Sequence, residues 1–240
     1  MLLLAHGSPD RVEEVPEFLR YVTGGRGVPD SVVKEVQHRY SLIGRSPLTE
    51  ITSKQAAGVE RELGVRTYVG MRNWKPFVGD ALAEMKRDGV ERAVAICLAP
   101  HNSRTSVGLY RQSLEDAPFE IDFVASWHDS PQLIRAFAER LREGRERANR
   151  EAKTRLPVIF TAHSVPQRTI ADGDPYETQT RHTAELVARE AGLNDQEWTF
   201  AFQSQGMSGG AWLGPTVEDT ILALKADGHE GVFIQPIGFV

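Results

Sequence analysis

A single cysteine, Cys97, stands in the 240 residues of this chain. That scarcity excludes an intramolecular disulfide framework, an all-cysteine zinc site and a cysteine-ligated iron–sulfur cluster, and it fits a reducing cytosol. Positive charge is not in excess: 28 Lys and Arg face 33 Asp and Glu, a formal charge of −5. Bulk attraction to nucleic acid or an anionic membrane is therefore not expected, although a local basic pocket is allowed. No apolar run reaches membrane-spanning length. Met1-Leu2-Leu3-Leu4-Ala5 lacks a basic leader and is too short for a signal or a span, so it reads as a first strand. Low-complexity tracts and short repeats are also missing. The expectation is a cytoplasmic protein with a core large enough for one large domain or two small ones.

What is present is alternation. Apolar runs of strand length fall at residues 2–5, 67–70, 93–99, 121–126, 158–161, 199–203 and 232–236. Between them, Val78, Ala81, Leu82 and Met85 recur at helical spacing, as do Leu133, Ile134, Phe137, Ala138 and Leu141. Leu186 with Val187, and Val217, Ile221 and Leu224, mark two further helical faces. Strands that alternate with helices need crossover connections, so the predicted fold is α/β, a parallel sheet with helices on both faces. The Arg- and Glu-rich stretch 143–155 is the expected bridge between two halves, 1–150 and 151–240.

The residue that draws most attention is His163, in Thr161-Ala162-His163-Ser164-Val165-Pro166. An apolar strand delivers this imidazole to the point where the chain must turn, which in a parallel sheet is the carboxyl edge where ligands bind. Ser164 is placed to cap the next turn and Pro166 stiffens it. Gly173-Asp174-Pro175-Tyr176 is a second rigid turn before a helix from about residue 177. A rigid mount suits a proton acceptor or a metal ligand. Three other loops, His6-Gly7-Ser8-Pro9, His101-Asn102-Ser103-Arg104 and Gln203-Ser204-Gln205-Gly206, follow strands in the same way and are expected at the same edge.

Cationic and aromatic residues supply candidate walls for a flat anionic ligand. Arg39 and Tyr40 lie on a helix expected over 30–43, ahead of Arg45 and Ser46. Arg72, Trp74 and Lys75 follow a strand, with Trp74 equally suited to the core. Tyr110 and Trp212 carry the same two readings.

These stretches together resemble the ferrochelatases, especially the soluble bacterial kind that acts on coproporphyrin III. The similarity is carried by Ala5 through Pro9, Arg39-Tyr40 with Ser46-Pro47-Leu48, Gly70 through Phe77, Leu98-Ala99-Pro100-His101 with Tyr110, Ala162-His163-Ser164, Gly173 through Tyr176, Gln203-Ser204 and Trp212-Leu213-Gly214-Pro215. It implies a chelatase-like fold of two Rossmann-like lobes with parallel four-stranded sheets, the second truncated, and a tetrapyrrole cleft. It further implies Fe²⁺ insertion into coproporphyrin III or protoporphyrin IX in haem biosynthesis. His163 matches the catalytic and metal-site histidine, and His6 stands where an axial tyrosine is common, as a second metal ligand. His6, Arg39, Tyr40, Ser46, Arg72, Lys75, Tyr110 and Trp212 match porphyrin-binding positions. Fe²⁺ enters as substrate, with no prosthetic group, and the protein is expected to be a monomer in transient contact with other haem-pathway enzymes.

Two features limit the match. An arginine frequent on the first hairpin of the family aligns near Thr23 or Gly24. The family's Asp-His-x-x-Glu stretch, whose glutamate works opposite His163, would fall after Val240, so the sequence is expected to be a fragment. The alternatives are a non-catalytic porphyrin- or haem-binding protein and a class II chelatase for another tetrapyrrole such as sirohydrochlorin. The Gly173-Asp174-Pro175-Tyr176 and Trp212 to Pro215 turns favour the haem branch.

Overall fold

The structure, a computed structural model, describes residues 1–205 and 210–239. Its elements alternate as the apolar runs predict. They are β1 (Leu2–Ala5), a 3-10 turn, α1 (Val15–Val22), α2 (Asp30–Ile43), α3 (Leu48–Leu63), β2 (Tyr68–Met71), α4 (Val78–Arg87), β3 (Arg92–Cys97), α5 (Val107–Gln112) and β4 (Glu120–Val124). There follow α6 (Pro131–Ala152), β5 (Val158–His163), α7 (Gln167–Ala171), α8 (Tyr176–Ala191), β6 (Trp198–Gln203), α9 (Val217–Ala226) and β7 (Phe233–Pro236). Among the described residues no helix is long and apolar enough to cross a membrane.

The chain forms two compact units. Met1–Leu98 with Leu109–Val124 make the first, and Ala99–Gly108 with Ala125–Val240 make the second. The first holds a parallel sheet in the order β2-β1-β3-β4. Every residue of β1 is buried, as an apolar strand covered on two faces must be. Helix α4 lays Val78, Ala81, Leu82 and Met85 inward, the face its spacing predicts. In the second unit a parallel sheet of three strands runs β6-β5-β7. Here α6 buries Leu133, Ile134, Phe137, Ala138 and Leu141, and α8 buries Ala184, Val187 and Ala188. Phe160 and Phe202 are fully enclosed in the same core, each contributing roughly 1.5–3 kcal/mol by burial. Gly144 lets α6 approach β7, because a Cβ there would stand 2.8 Å from Phe233 Cζ.

The charged stretch 143–155, the expected bridge, lies largely in α6, which runs unbroken to Ala152. Its inner face simply changes from apolar to polar contacts at Arg145, which is buried and donates to the Leu156 carbonyl at 2.9 Å and to Glu197 at 3.1 Å. The two compact units meet along the chain at Val124/Ala125, with residues 99–108 joining the second.

Both units share one device. The first strand of each, β1 or β5, is central, its second strand lies on one side and its third on the other. Where strand order reverses in this way, the crossover loops part at the carboxyl ends and leave a place for a ligand. His6 and His163 stand at those two points.

Candidate active site

In the second unit, His163 is the last residue of β5 and is exposed. Its ring Nδ1 lies 2.7 Å from the Ser164 carbonyl oxygen. A carbonyl only accepts, so Nδ1 carries a proton, and in the neutral ring the Nε2 lone pair is left to act as base or metal ligand. Ser164 does not cap the following turn as expected. It is buried, and its hydroxyl donates 2.9 Å to the Leu213 carbonyl while its N–H donates to Gln203. The Leu213 N–H returns a bond to Val165, and Trp212 bridges Pro166 in antiparallel sense. The structure thus brings half-buried Trp212 to the turn that follows His163. Ser204 closes β6 at the same edge with φ of 59°, a conformation sparsely populated outside glycine and common at functional sites. Gly206 of that loop lies outside the described residues.

Further along, the turn 173–176 makes the helix start. Gly173 takes φ of 87°. The Asp174 carboxylate is buried and accepts from the Tyr176 N–H at 3.0 Å, the Arg104 N–H at 2.7 Å and the Ser103 hydroxyl at 3.2 Å. Tyr176, also buried, sends its hydroxyl 2.9 Å to the His163 carbonyl.

In the first unit, His6 follows β1, and its Nδ1 lies 3.0 Å from the Gly7 carbonyl, the same tautomer-setting contact. The 72–74 loop is tied to it by Arg72 N–H to Ala5 and Asn73 N–H to His6. Phe18 meets the His6 ring edge-on at 5.9 Å, and Ser8 bonds Tyr40 at 2.8 Å. Trp74 takes the core reading, 2% exposed. Lys75 reaches back over its ring at 5.8 Å. Arg39 is largely exposed and bonds Glu35 at 2.8 Å, while the Ser46 hydroxyl accepts from the Leu48 N–H at 3.4 Å.

Tyr110 and His101 are both buried. Tyr110 is 4% exposed, its ring turned inward under the Arg72 guanidinium at 5.5 Å. It underlies Arg72. His101, expected on an open edge, is 1% exposed and bonds Thr183 Oγ1 at 2.9 Å. Burial, aided by the neighbouring His128, pushes its pKa down to about 3, so it is neutral and is not a proton acceptor at working pH. Two concavities of about 560 and 650 Å³ lie elsewhere, lined by Glu60, Arg66 and Asp80 and by Arg142, Glu146 and Arg150 respectively. Neither touches a candidate residue, and we place no chemistry there.

The sequence model of the ferrochelatase family matches residues 1–240. This chain belongs to the ferrochelatase family. A ferrochelatase of Acidobacterium capsulatum is 48% identical over 257 aligned residues, which take in all of this chain and 79% of the relative. One from Deinococcus radiodurans is 36% identical, with 100% and 80% covered. A protein named coproporphyrin III ferrochelatase 2, from Bacillus cereus, is 36% identical, with 100% and 78% covered. Among solved structures, a cobalt-bound sirohydrochlorin chelatase of Bacillus subtilis superposes with TM-score 0.46 at 12% identity over 99% of this chain and 87% of its own, too remote to bear on the site.

The Asp174–Tyr176 bonds to Arg104 and His163 were not legible beforehand, since their partners lie about 70 and 13 positions away. Nor was the contact of His128 with His182, 3.4 Å between ring nitrogens. The one signal in the sequence is the i, i+3 spacing of Gln179 and His182 on α8.

Proposed function

We propose that His163 carries out metal insertion in this ferrochelatase-family protein. As a member of that family the chain is a porphyrin metal chelatase, a lyase of haem biosynthesis. The reading as a non-catalytic binder is not favoured. Insertion exchanges two pyrrole N–H protons for one divalent ion, Fe²⁺ in this proposal, so a base must stand where the ion arrives. The observation that carries the assignment is the 2.7 Å contact from His163 Nδ1 to a carbonyl, because in the neutral ring it puts the lone pair on Nε2, at the carboxyl edge. Such a nitrogen takes a pyrrole proton and, being exposed, passes it to water, or it ligates the ion. It does not do both at one instant.

Propionates are the handle. Holding them lets binding energy bend the flat macrocycle and expose its lone pairs, at a strain of roughly 1–5 kcal/mol. Arg39, Arg72, Lys75 and Ser46 are assigned to that grip, Tyr40 and Trp212 to contact with the ring, and His6 to the metal.

Replacement by alanine tests the reading. His163→Ala is expected to reduce Fe²⁺ insertion into coproporphyrin III by about 10²-fold or more, followed anaerobically by loss of free-porphyrin fluorescence. Porphyrin affinity should stay within about twofold, since the imidazole serves the ion and not the propionates. A His163→Ala protein that inserts iron at the parental rate overturns it.

A further inference from the structure

We propose that Tyr176 is a positioning residue for His163, and that the buried Asp174 carboxylate sets Tyr176 in place. This rests on the assignment of His163 above, and it begins from hydrogen-bond accounting at the end of β5. Residues 157, 159, 161 and 163 turn their carbonyls toward β7. The Phe233 N–H reaches Pro157 at 2.8 Å and the Ile237 N–H reaches Thr161 at 3.0 Å. The pairing of β5 with β7 stops at Thr161 and Pro236. The next carbonyl on that side belongs to His163, beyond the ladder, and a carbonyl left without a donor at a strand end lets the backbone rock. Its donor is the Tyr176 hydroxyl at 2.9 Å.

The hydroxyl is itself fixed. Tyr176 is the first residue of α8, 7% exposed, with its ring edge-on to His101 at 6.1 Å. Its N–H goes to Asp174 Oδ1, while Oδ2 takes the Arg104 N–H and the Ser103 hydroxyl. A buried carboxylate with three donors is a rigid anchor. On the other flank the Ser164 N–H bonds Gln203. With both flanks held and Nδ1 tied to Ser164, the direction of Nε2 is set by Tyr176 as much as by the imidazole's own contacts. Partners behind a metal-handling histidine commonly matter about 10–100-fold.

Tyr176→Phe keeps the ring and deletes the bond. Three quantities are read in the full chain: kcat and KM for insertion, melting temperature, and ¹⁵N shifts of the His163 imidazole during Zn²⁺ titration. The expected result is a kcat lower by about tenfold and Zn²⁺ affinity at the His163 ring weaker by about tenfold, with KM for coproporphyrin III within about twofold. Asp174→Asn should move the same two quantities the same way, and a shift in melting temperature alone in either variant counts against the proposal. If His163 titrates as in the parent protein, the proposal falls, whatever kcat does. If His163→Ala inserts iron normally, the assignment of His163 fails instead, and the imidazole titration still reports whether Tyr176 sets its geometry.

Discussion

The ends of β1 and β5 are the same construction held by different forces. Each is the central, first strand of its sheet, and each delivers a histidine whose Nδ1 is tied to the next carbonyl, at 3.0 Å for His6 and 2.7 Å for His163. Around His163 the supports are polar: Ser164 to Leu213, Tyr176 to the His163 carbonyl, Asp174 to three donors. Around His6 the carbonyl takes a backbone bond from the Asn73 N–H at 2.9 Å, and aromatic packing is added to it. Phe18 and Trp74 meet edge-on at 6.2 Å, in a cluster with Val15 and Leu19. Hydrogen bonds fix direction, which a base or ligand needs, whereas apolar contact fixes distance and tolerates small rotations. The difference lies in the donor: a side-chain phenol holds the His163 carbonyl, and a backbone N–H holds that of His6.

If packing holds the β1 end, the largest effect should come from Gly7. Its φ is 85°, and a Cβ there would stand 2.7 Å from the Trp74 backbone nitrogen, which cannot swing aside as a flexible side chain would. Gly7→Ala combines a left-handed backbone with a clash against the loop that carries Arg72 and Lys75. The expected loss is roughly 2–5 kcal/mol by urea denaturation. A loss below about 0.5 kcal/mol would mean that the loop is free to move and that packing is not what holds this end.

Acid should separate the two units next, because the histidines with lowered pKa values, His101 and His128, belong to the second. His101 Nδ1 is buried with no partner among the described residues, and Nε2 is engaged by Thr183. Its pKa falls from 6.5 to about 3. His128 is lowered by burial and by His182, against Asp129. The unfolded chain therefore binds protons that the folded chain refuses. Stability is complete above about pH 6.5 and declines as pH falls toward 3, at about 1.4 kcal/mol per pH unit for His101, or about 2 kcal/mol by pH 5. Urea titrations at pH 7 and pH 5, with hydrogen exchange to locate the loss on α8, measure it. His101→Gln should flatten the slope, and an unchanged slope would place the acid sensitivity elsewhere.

How much of this was legible follows from where the determinants lie. All seven strands are predicted within about two residues, because each is an apolar run closed by Gly, Pro or a polar turn, a local signal. The position of His163 follows for the same reason. The stretch 143–155 misleads because charge density suggests solvent, while the deciding fact, Arg145 buried against Leu156 and Glu197, is a tertiary pairing. His101 misleads likewise: a histidine after a strand reads as an open-edge residue until α8, some 80 positions on, brings Thr183 to its ring. The long-range contacts that decide these two cases are polar, and polar pairing leaves no period in the sequence.

The smallest effect sharpens the comparison from the ligand's side. Arg39 is 72% exposed on its side chain and, among the described residues, is paired with Glu35, one turn earlier on α2. An exposed pair of this kind contributes little, so Arg39→Ala should change stability by less than about 0.5 kcal/mol. Any change in ligand affinity then reads the propionate grip and not the fold. The expected weakening for coproporphyrin III, by fluorescence titration, is roughly 1 kcal/mol, about fivefold, as suits a charge-assisted bond made in partial contact with water. Higher salt should shrink it, and a porphyrin esterified on every propionate should bind parent and variant alike. Equal parental affinity for the free acid and the ester would mean that the first unit holds its ligand by apolar contact alone.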